Sequence, residues 1–96
     1  MTNKPLYAIS VAADLSGTAV QNLRAYERHG LLTPDRTDGG TRRYSDGDVE
    51  RLVHIRTLLD DGLNIAGIQR VLALEAEVAG LRASLLRARG GGTEYT

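Results

Sequence analysis

Apolar and polar positions along the chain follow a helical period at both ends, with a short stretch of different character between them. Tyr7-Ala8-Ile9 leads from a polar segment, residues 1–6, into a compact helix. Ser10 is placed to cap it, and Val11, Ala12 and Leu15 share one face. Gly17 ends that helix after about two turns, since glycine accepts the left-handed conformation of a helix end. A second helix follows at once. Thr18 and Gln21 have the spacing of a capping box, in which each side chain satisfies an amide that the helix start leaves open. Val20, Leu23 and Tyr26 make an apolar stripe toward the first helix, while Gln21, Arg24, Ala25 and Arg28 lie off that stripe and face outward. His29-Gly30 is a stop signal, a cation followed by a glycine suited to positive φ. Two short helices joined through a glycine have the outline of a helix-turn-helix.

The next segment, residues 31–44, cannot continue as helix, because Pro34 lacks the amide a helix needs. Asp38-Gly39-Gly40 supplies the positive φ angles of a tight hairpin, flanked by Arg36-Thr37 and Thr41-Arg42-Arg43-Tyr44 as short strands. This ribbon carries arginines where a buried strand would carry Val and Ile. Ser45 and Asp48 then form a second capping-box pattern. It opens a long helix over about residues 46–61, with Val49, Leu52, Ile55 or Arg56, and Leu59 inward and Gly62 at its close. Asn64 can cap a further helix from Ile65. Beyond it, Val71, Leu74, Val78, Leu81 and Leu85 alternate steps of three and four, the a and d positions of a heptad. Gly80 weakens this helix by roughly 1 kcal/mol relative to Ala, and Gly90-Gly91-Gly92 starts a flexible tail.

The pattern predicts a mostly α fold: a winged helix-turn-helix with a small β-hairpin wing, a helix pair forming a second wing, and a C-terminal dimerisation helix. Residues 1–74 form the first unit, 75–89 a coiled-coil dimerisation helix and 90–96 the tail. Ninety-six residues allow one small core. A heptad stripe running past such a core fits a seam with a second copy better than it fits an intramolecular core.

Composition removes several chemistries. There is no cysteine, which excludes disulfides and thiolate metal sites. His29 and His54 each stand without a second His or a Cys nearby, so they read as structural, and the Asp60-Asp61 pair reads as a solvated helix end. No metal and no cofactor are implied. No Ser-His-Asp or Cys-His arrangement is present, and the glycines lack the strand-then-helix setting of a phosphate loop; an enzyme finds no support. No apolar run approaches the ~20 residues of a membrane span and no leader peptide is evident, so a cytoplasmic location is expected. The net charge is zero, but it is polarised. Over residues 20–45, five arginines face three carboxylates, a local net of +2, while Asp60, Asp61, Glu75 and Glu77 lie downstream.

That polarity falls on the two elements suited to DNA. An α-helix fits the major groove and reads base edges with its N-terminal half. Thr18, Ala19, Val20, Gln21 and Arg24 are the candidates there, Gln able to bond adenine and Arg guanine in bidentate fashion. Arg28, Arg42 and Arg43 suit phosphates, which set register and affinity without reading sequence. Tyr26 and Tyr44 can offer a hydroxyl to a phosphate while their rings pack on the domain.

The stretch Leu23-Arg24-Ala25-Tyr26-Glu27-Arg28-His29-Gly30-Leu31, with the wing ending Arg42-Arg43-Tyr44, resembles the MerR family of bacterial regulators. The likeness continues through Ser45, Asp48-Val49, Arg51-Leu52 and Gly62-x-x-Ile65-x-x-Ile68, covering most of residues 9–74. It implies a homodimer, paired through an antiparallel coiled coil, on a palindromic operator in double-stranded DNA. It also implies bending or untwisting of that DNA, at a deformation cost of order 1–6 kcal/mol. In the family the matching Tyr, Arg and wing residues touch the DNA backbone. Ala19 departs from the serine many members carry, and Ala25 from a second aromatic. Within the family, Ile9-Ser10-Val11-Ala12-Ala13, the Asp35-Arg36-Thr37-x-Gly39-Gly40 wing and Asn64-x-Ala66-Gly67-Ile68 resemble actinobacterial heat-shock repressors, which implies repression and a chaperone or other protein as co-regulator. Two other classes share parts of the pattern. An architectural, excisionase-like factor would fill tandem sites cooperatively, and a protein-docking module would have no salt-dependent affinity for DNA.

Overall fold

The computed structural model describes residues 4–93, with side chains through residue 90. Its elements run α1 (Ile9–Ser16), α2 (Val20–Arg28), β1 (Asp35–Arg36), β2 (Arg42–Arg43), α3 (Asp46–Asp60) and α4 (Ile65–Thr93). The core lies where α1, α2, α3 and the base of α4 meet, and its fully buried side chains include Leu23, Tyr44, Leu52, Ile55 and Ile68.

α1 turns a different face inward from the one its larger residues suggest. Val11 and Leu15 are exposed, whereas Ala12, Ala13 and Ser16 are buried. Small side chains let the helix backbone approach its neighbours closely. Ser16 is accommodated because its hydroxyl donates to Ala12 O at 2.8 Å within the helix. Ser10 does not cap α1; the cap position is Ala8, with no side-chain bond. At the other end Gly17 adopts φ 69° and Thr18 N donates back to Ala13 O at 3.0 Å. Thr18 therefore closes α1 rather than opening α2. The expected capping box with Gln21 is absent, and Ala19 takes the cap position of α2 without a side-chain bond.

α2 stops as its sequence predicts. Gly30 takes φ 75°, and Leu31 N donates to Tyr26 O at 2.9 Å. The hairpin is shorter and shifted: Asp35 pairs with Arg43 and Arg36 with Arg42. Of the turn glycines only Gly40 has positive φ, at 83°, while Gly40 N donates to Thr37 O and Thr37 N to Thr41 O, both at 2.8 Å. The lead-in is also tied down. Leu6 and Tyr7 amides both donate to Tyr44 O, and Tyr44 N returns a bond to Tyr7 O at 2.8 Å. A short third segment thus flanks the wing base.

The capping box at α3 is present in both directions, Ser45 Oγ accepting from Asp48 N and Asp48 Oδ2 from Ser45 N. Leu52 and Ile55 are buried and Leu58 packs on the core. Arg56 and Leu59, read as inward, are exposed; Arg56 instead donates to Gly17 O. Asn64 caps α4 through Oδ1, accepting from Gly67 N at 2.8 Å.

α4 is one continuous helix, so no separate dimer helix follows a second-wing pair. It also runs past Gly90, where the sequence starts a tail, to Thr93; interior glycines weaken a helix by about 1 kcal/mol each without forbidding it. The remaining residues of that expected tail lie outside the described residues. Ile68 and Leu72 bury the base of α4 against the core. Beyond them Leu74, Val78, Leu81 and Leu85 are 43–64% exposed. The stripe does not fold back onto its own domain, and an open apolar groove lined by Val71, Leu74, Val78 and Ala79 runs along it. Among the described residues no helix is long and apolar enough to cross a membrane.

Candidate nucleic-acid interface

Leu23 and Tyr26 pin α2 to the core, which leaves its opposite face free. Ala19, Gln21, Arg24 and Arg28 are exposed on that side and Val20 is half-buried. With nine residues, α2 is about 13 Å long, comparable to the roughly 12 Å width of a major groove. Its C-terminal end is held by long side chains from elsewhere. Arg51 Nε donates to Leu31 O at 2.5 Å, and Gln69 Nε2 on α4 donates to His29 O at 2.8 Å. Sequence reasoning missed both, since they join residues 20 and 40 apart.

The wing stands beside α2, joined to it by charge. Glu27 Oε1 pairs with Arg36 Nη2 at 2.9 Å and Glu27 Oε2 with Arg42 Nε at 2.7 Å. Arg42, expected to meet a phosphate, thus spends its Nε on a carboxylate, and its other N–H groups are left over. Among the described residues Arg24, Arg28 and Arg43 have no ion-pair partner. These three cations, on one helix face and the adjacent ribbon, stand free of ion pairs, and the single charge of Glu27 is shared between Arg36 and Arg42, so the pairs leave a positive excess on this surface.

Two expected contacts are not at the surface. Tyr44 is 0% exposed and its hydroxyl is enclosed without a hydrogen-bond partner. Burial first, and the Glu27 carboxylate second, push its phenol up from 10.0. The ring fills the centre of the core beneath the hairpin, which a strand-end position in the sequence does not reveal. Thr18 is likewise buried with Oγ1 enclosed. Neither reaches a duplex in this conformation. Tyr44→Phe is therefore expected to leave DNA affinity within about twofold and to hold or raise the melting temperature, because deleting an unsatisfied buried hydroxyl relieves about 1–3 kcal/mol of desolvation. A tenfold loss of affinity on filter binding would restore Tyr44 as a contact.

Tyr26 keeps 7% exposure and its phenol is pushed up by burial, so it stays a neutral donor at physiological pH. At the wing base Tyr7 Oη donates to Asp46 Oδ1 at 2.6 Å, which raises that phenol as well, mainly through the bond itself. Among the described residues no cluster of three metal-ligating side chains occurs. His54 instead meets Glu75 of α4 at 2.9 Å.

This arrangement of helices and ribbon recurs in known proteins. The profile described as the MerR HTH family regulatory protein matches residues 7–75. The heat shock protein HspR of Streptomyces coelicolor is 54% identical over 80 residues, covering 82% of this chain and 53% of its own length. The HTH-type transcriptional regulator GlnR of Bacillus cereus is 44% identical over 71 residues, 74% of this chain and 55% of GlnR. The chain thus spans about half the length of these relatives. Among solved structures, HiNmlR, a MerR family regulator lacking the sensor domain and bound to promoter DNA, matches with a TM-score of 0.69 at 28% identity, over 84% of this chain and 64% of that one. With residues 7–75 matched and the helix, wing and arginines in the order the motif requires, the chain belongs to the MerR family of helix-turn-helix regulatory proteins.

Proposed function

We propose that the chain is a sequence-specific DNA-binding transcription regulator, a repressor that grips a palindromic operator as a homodimer. The observation that carries this reading is that Gln21 and Arg24 stand exposed on α2, the helix that Glu27 joins to both strands of the arginine-bearing wing. Ala19, Val20, Gln21 and Arg24 read base edges in the major groove. Arg28, Arg43 and the remaining N–H groups of Arg42 bond phosphates, and the Tyr26 hydroxyl adds a neutral donor. Residues 1–74 make up the DNA-binding unit, and residues 75–89 of α4 pair with a second copy as an antiparallel coiled coil. Two-fold symmetry then places the half-sites on one face of the duplex. The protein works in the cytoplasm, and its chemistry is binding and DNA deformation rather than catalysis.

The finer reading is a repressor of stress genes that takes a chaperone or another protein as co-regulator. What supports it is the 54% identity to a protein named for heat shock, together with the matching strings at residues 9–13, 35–40 and 64–68. Adding a purified Hsp70-type chaperone should tighten operator binding; unchanged affinity would remove the chaperone from the account.

Selecting bound fragments from genomic DNA with the purified protein tests the main reading. One palindrome should emerge. Tandem sites filled cooperatively would favour an architectural factor, and binding without salt dependence would favour a protein-docking module. The roles of single residues separate on the selected duplex. Arg43→Ala should weaken binding to all sequences and reduce the salt slope by about one. Gln21→Ala should relax discrimination at one base position by roughly 1–3 kcal/mol. Measured against base-substituted duplexes, an Arg43→Ala loss confined to one variant would contradict a phosphate contact.

A further inference from the structure

Of the three carboxylates between residues 20 and 45, Glu27, Asp35 and Asp38, Glu27 alone forms an ion pair among the described residues. Glu27 lies in the last turn of α2, its side chain 18% exposed, and its two oxygens are divided between the two strands of the wing. Oε1 holds Arg36 of β1 and Oε2 holds Arg42 of β2, and these two arginines are direct cross-strand partners. Arg36 Nη1 also donates to Gly40 O at 3.1 Å, at the hairpin tip. A continuous set of bonds therefore runs from the helix through both strands to the turn. Tyr44 and its bonds with Tyr7 fix the wing base, but the strands beyond it, two residues each and half-buried or exposed, have little packing of their own to set their angle.

A negative charge here weakens attraction to every duplex alike, because it offsets cations that would otherwise release counterions from the phosphates. What it supplies in return is geometry. We propose that Glu27 is a specificity-determining positioning residue: by holding Arg36 and Arg42 it locks the wing to α2, so that helix and wing test a duplex as one rigid unit. A sequence whose groove and flanking strand accept both elements at that spacing is bound tightly. A freely hinged wing would adjust to any sequence and forfeit discrimination by shape. Glu27 acts through the two arginines and touches no base. The proposal rests on the DNA-binding reading above.

The test uses the full chain, the palindrome recovered by selection and a scrambled duplex of equal composition, titrated over a salt series. Glu27→Gln keeps the shape of the side chain and removes its charge. Affinity for the scrambled duplex should rise about threefold to tenfold, and its salt slope should steepen by about one. The palindrome-to-scrambled ratio should fall by about tenfold. In the free protein, the amide resonances of Gly40 and Thr41 should shift or broaden while those of Leu52 and Ile55 stay in place, a pattern that general destabilisation does not produce. A second variant, Arg36→Gln with Arg42→Gln, opens the clamp from the other side without removing the carboxylate. Its ratio should fall too, although overall affinity drops. An unchanged ratio in both variants, or equal losses on both duplexes with the wing resonances unmoved, overturns the proposal. If the parent chain binds no duplex, the DNA-binding reading fails and takes this proposal with it. If the parent binds the palindrome normally and only the ratios fail to move, the clamp alone is wrong.

Discussion

Leu81→Asp is expected to give a monomer in solution and to cost the palindromic duplex about a thousandfold in affinity. Past Leu72 the apolar side of α4 is exposed among the described residues, and of Leu74, Val78, Leu81 and Leu85 the most exposed is Leu81 at 64%. If two copies pair antiparallel about Val78, the midpoint of the 71–85 stripe, each Leu81 lies about one helical turn from the axis. The substitution then enters the seam twice. Losing two buried leucines removes about 3–6 kcal/mol, and each tenfold in dissociation constant is about 1.4 kcal/mol. An unpaired carboxylate in the seam adds to that loss. A coil of about two heptads is marginal by itself, so little margin remains. A monomer meets one half-site at a time and loses the advantage of simultaneous contact. Sedimentation equilibrium reads the state directly. The domain should keep its circular dichroism, because Ile68 and Leu72 anchor the base of the helix independently. A Leu81→Asp chain that stays dimeric would show that the copies pair elsewhere or not at all.

Leu52→Ala should lower the melting temperature by about 10–30 °C. Leu52 is 0% exposed at the junction where Ala12, Leu23 and Ile68 also sit, so its loss opens a cavity shared by α1, α2 and α4. Such truncations cost about 2–5 kcal/mol. Domains of this size hold only about 5–15 kcal/mol in total, and each kcal/mol is worth about 4–8 °C. Far-ultraviolet circular dichroism at fixed protein concentration checks it, the concentration mattering because association stabilises. DNA binding should survive in the cold and fail on warming. A shift of only a few degrees would mean that α3 does not sit at the centre of the fold.

The parts legible in the sequence are those fixed by neighbours in the chain. The box of Ser45 and Asp48, the Gly30 stop and the Asn64 cap each depend on residues within about one turn, and all are present. The exposed face of α2 was readable because Leu23 and Tyr26 declare the buried one. Where local chemistry offered two answers, tertiary contact decided. Thr18 could open α2 or close α1, and close packing of α1 drew its amide to Ala13 O. Val11 and Leu15 outrank Ala12, Ala13 and Ser16 in hydrophobicity, yet small residues win where backbones approach closely. Tyr44 looked like a wing-end donor, and only the fold reveals that the hairpin base drops it into the core. The Glu27 clamp joins residues 9 and 15 apart through flexible side chains, which no periodicity encodes. Glu27, set between Arg24 and Arg28 on the helix, was the one available signal.

In the proposed complex, α2 and the wing together form the surface that meets DNA. Titrating the isotope-labelled protein with the selected palindrome, and following backbone amide resonances, examines this residue by residue. The largest shifts are expected at Gln21, Arg24, Arg28 and Arg43, with Glu50 and Glu77 nearly still. Shifts centred on α3 and the outer face of α4, with the arginine-bearing helix and ribbon unmoved, would contradict it.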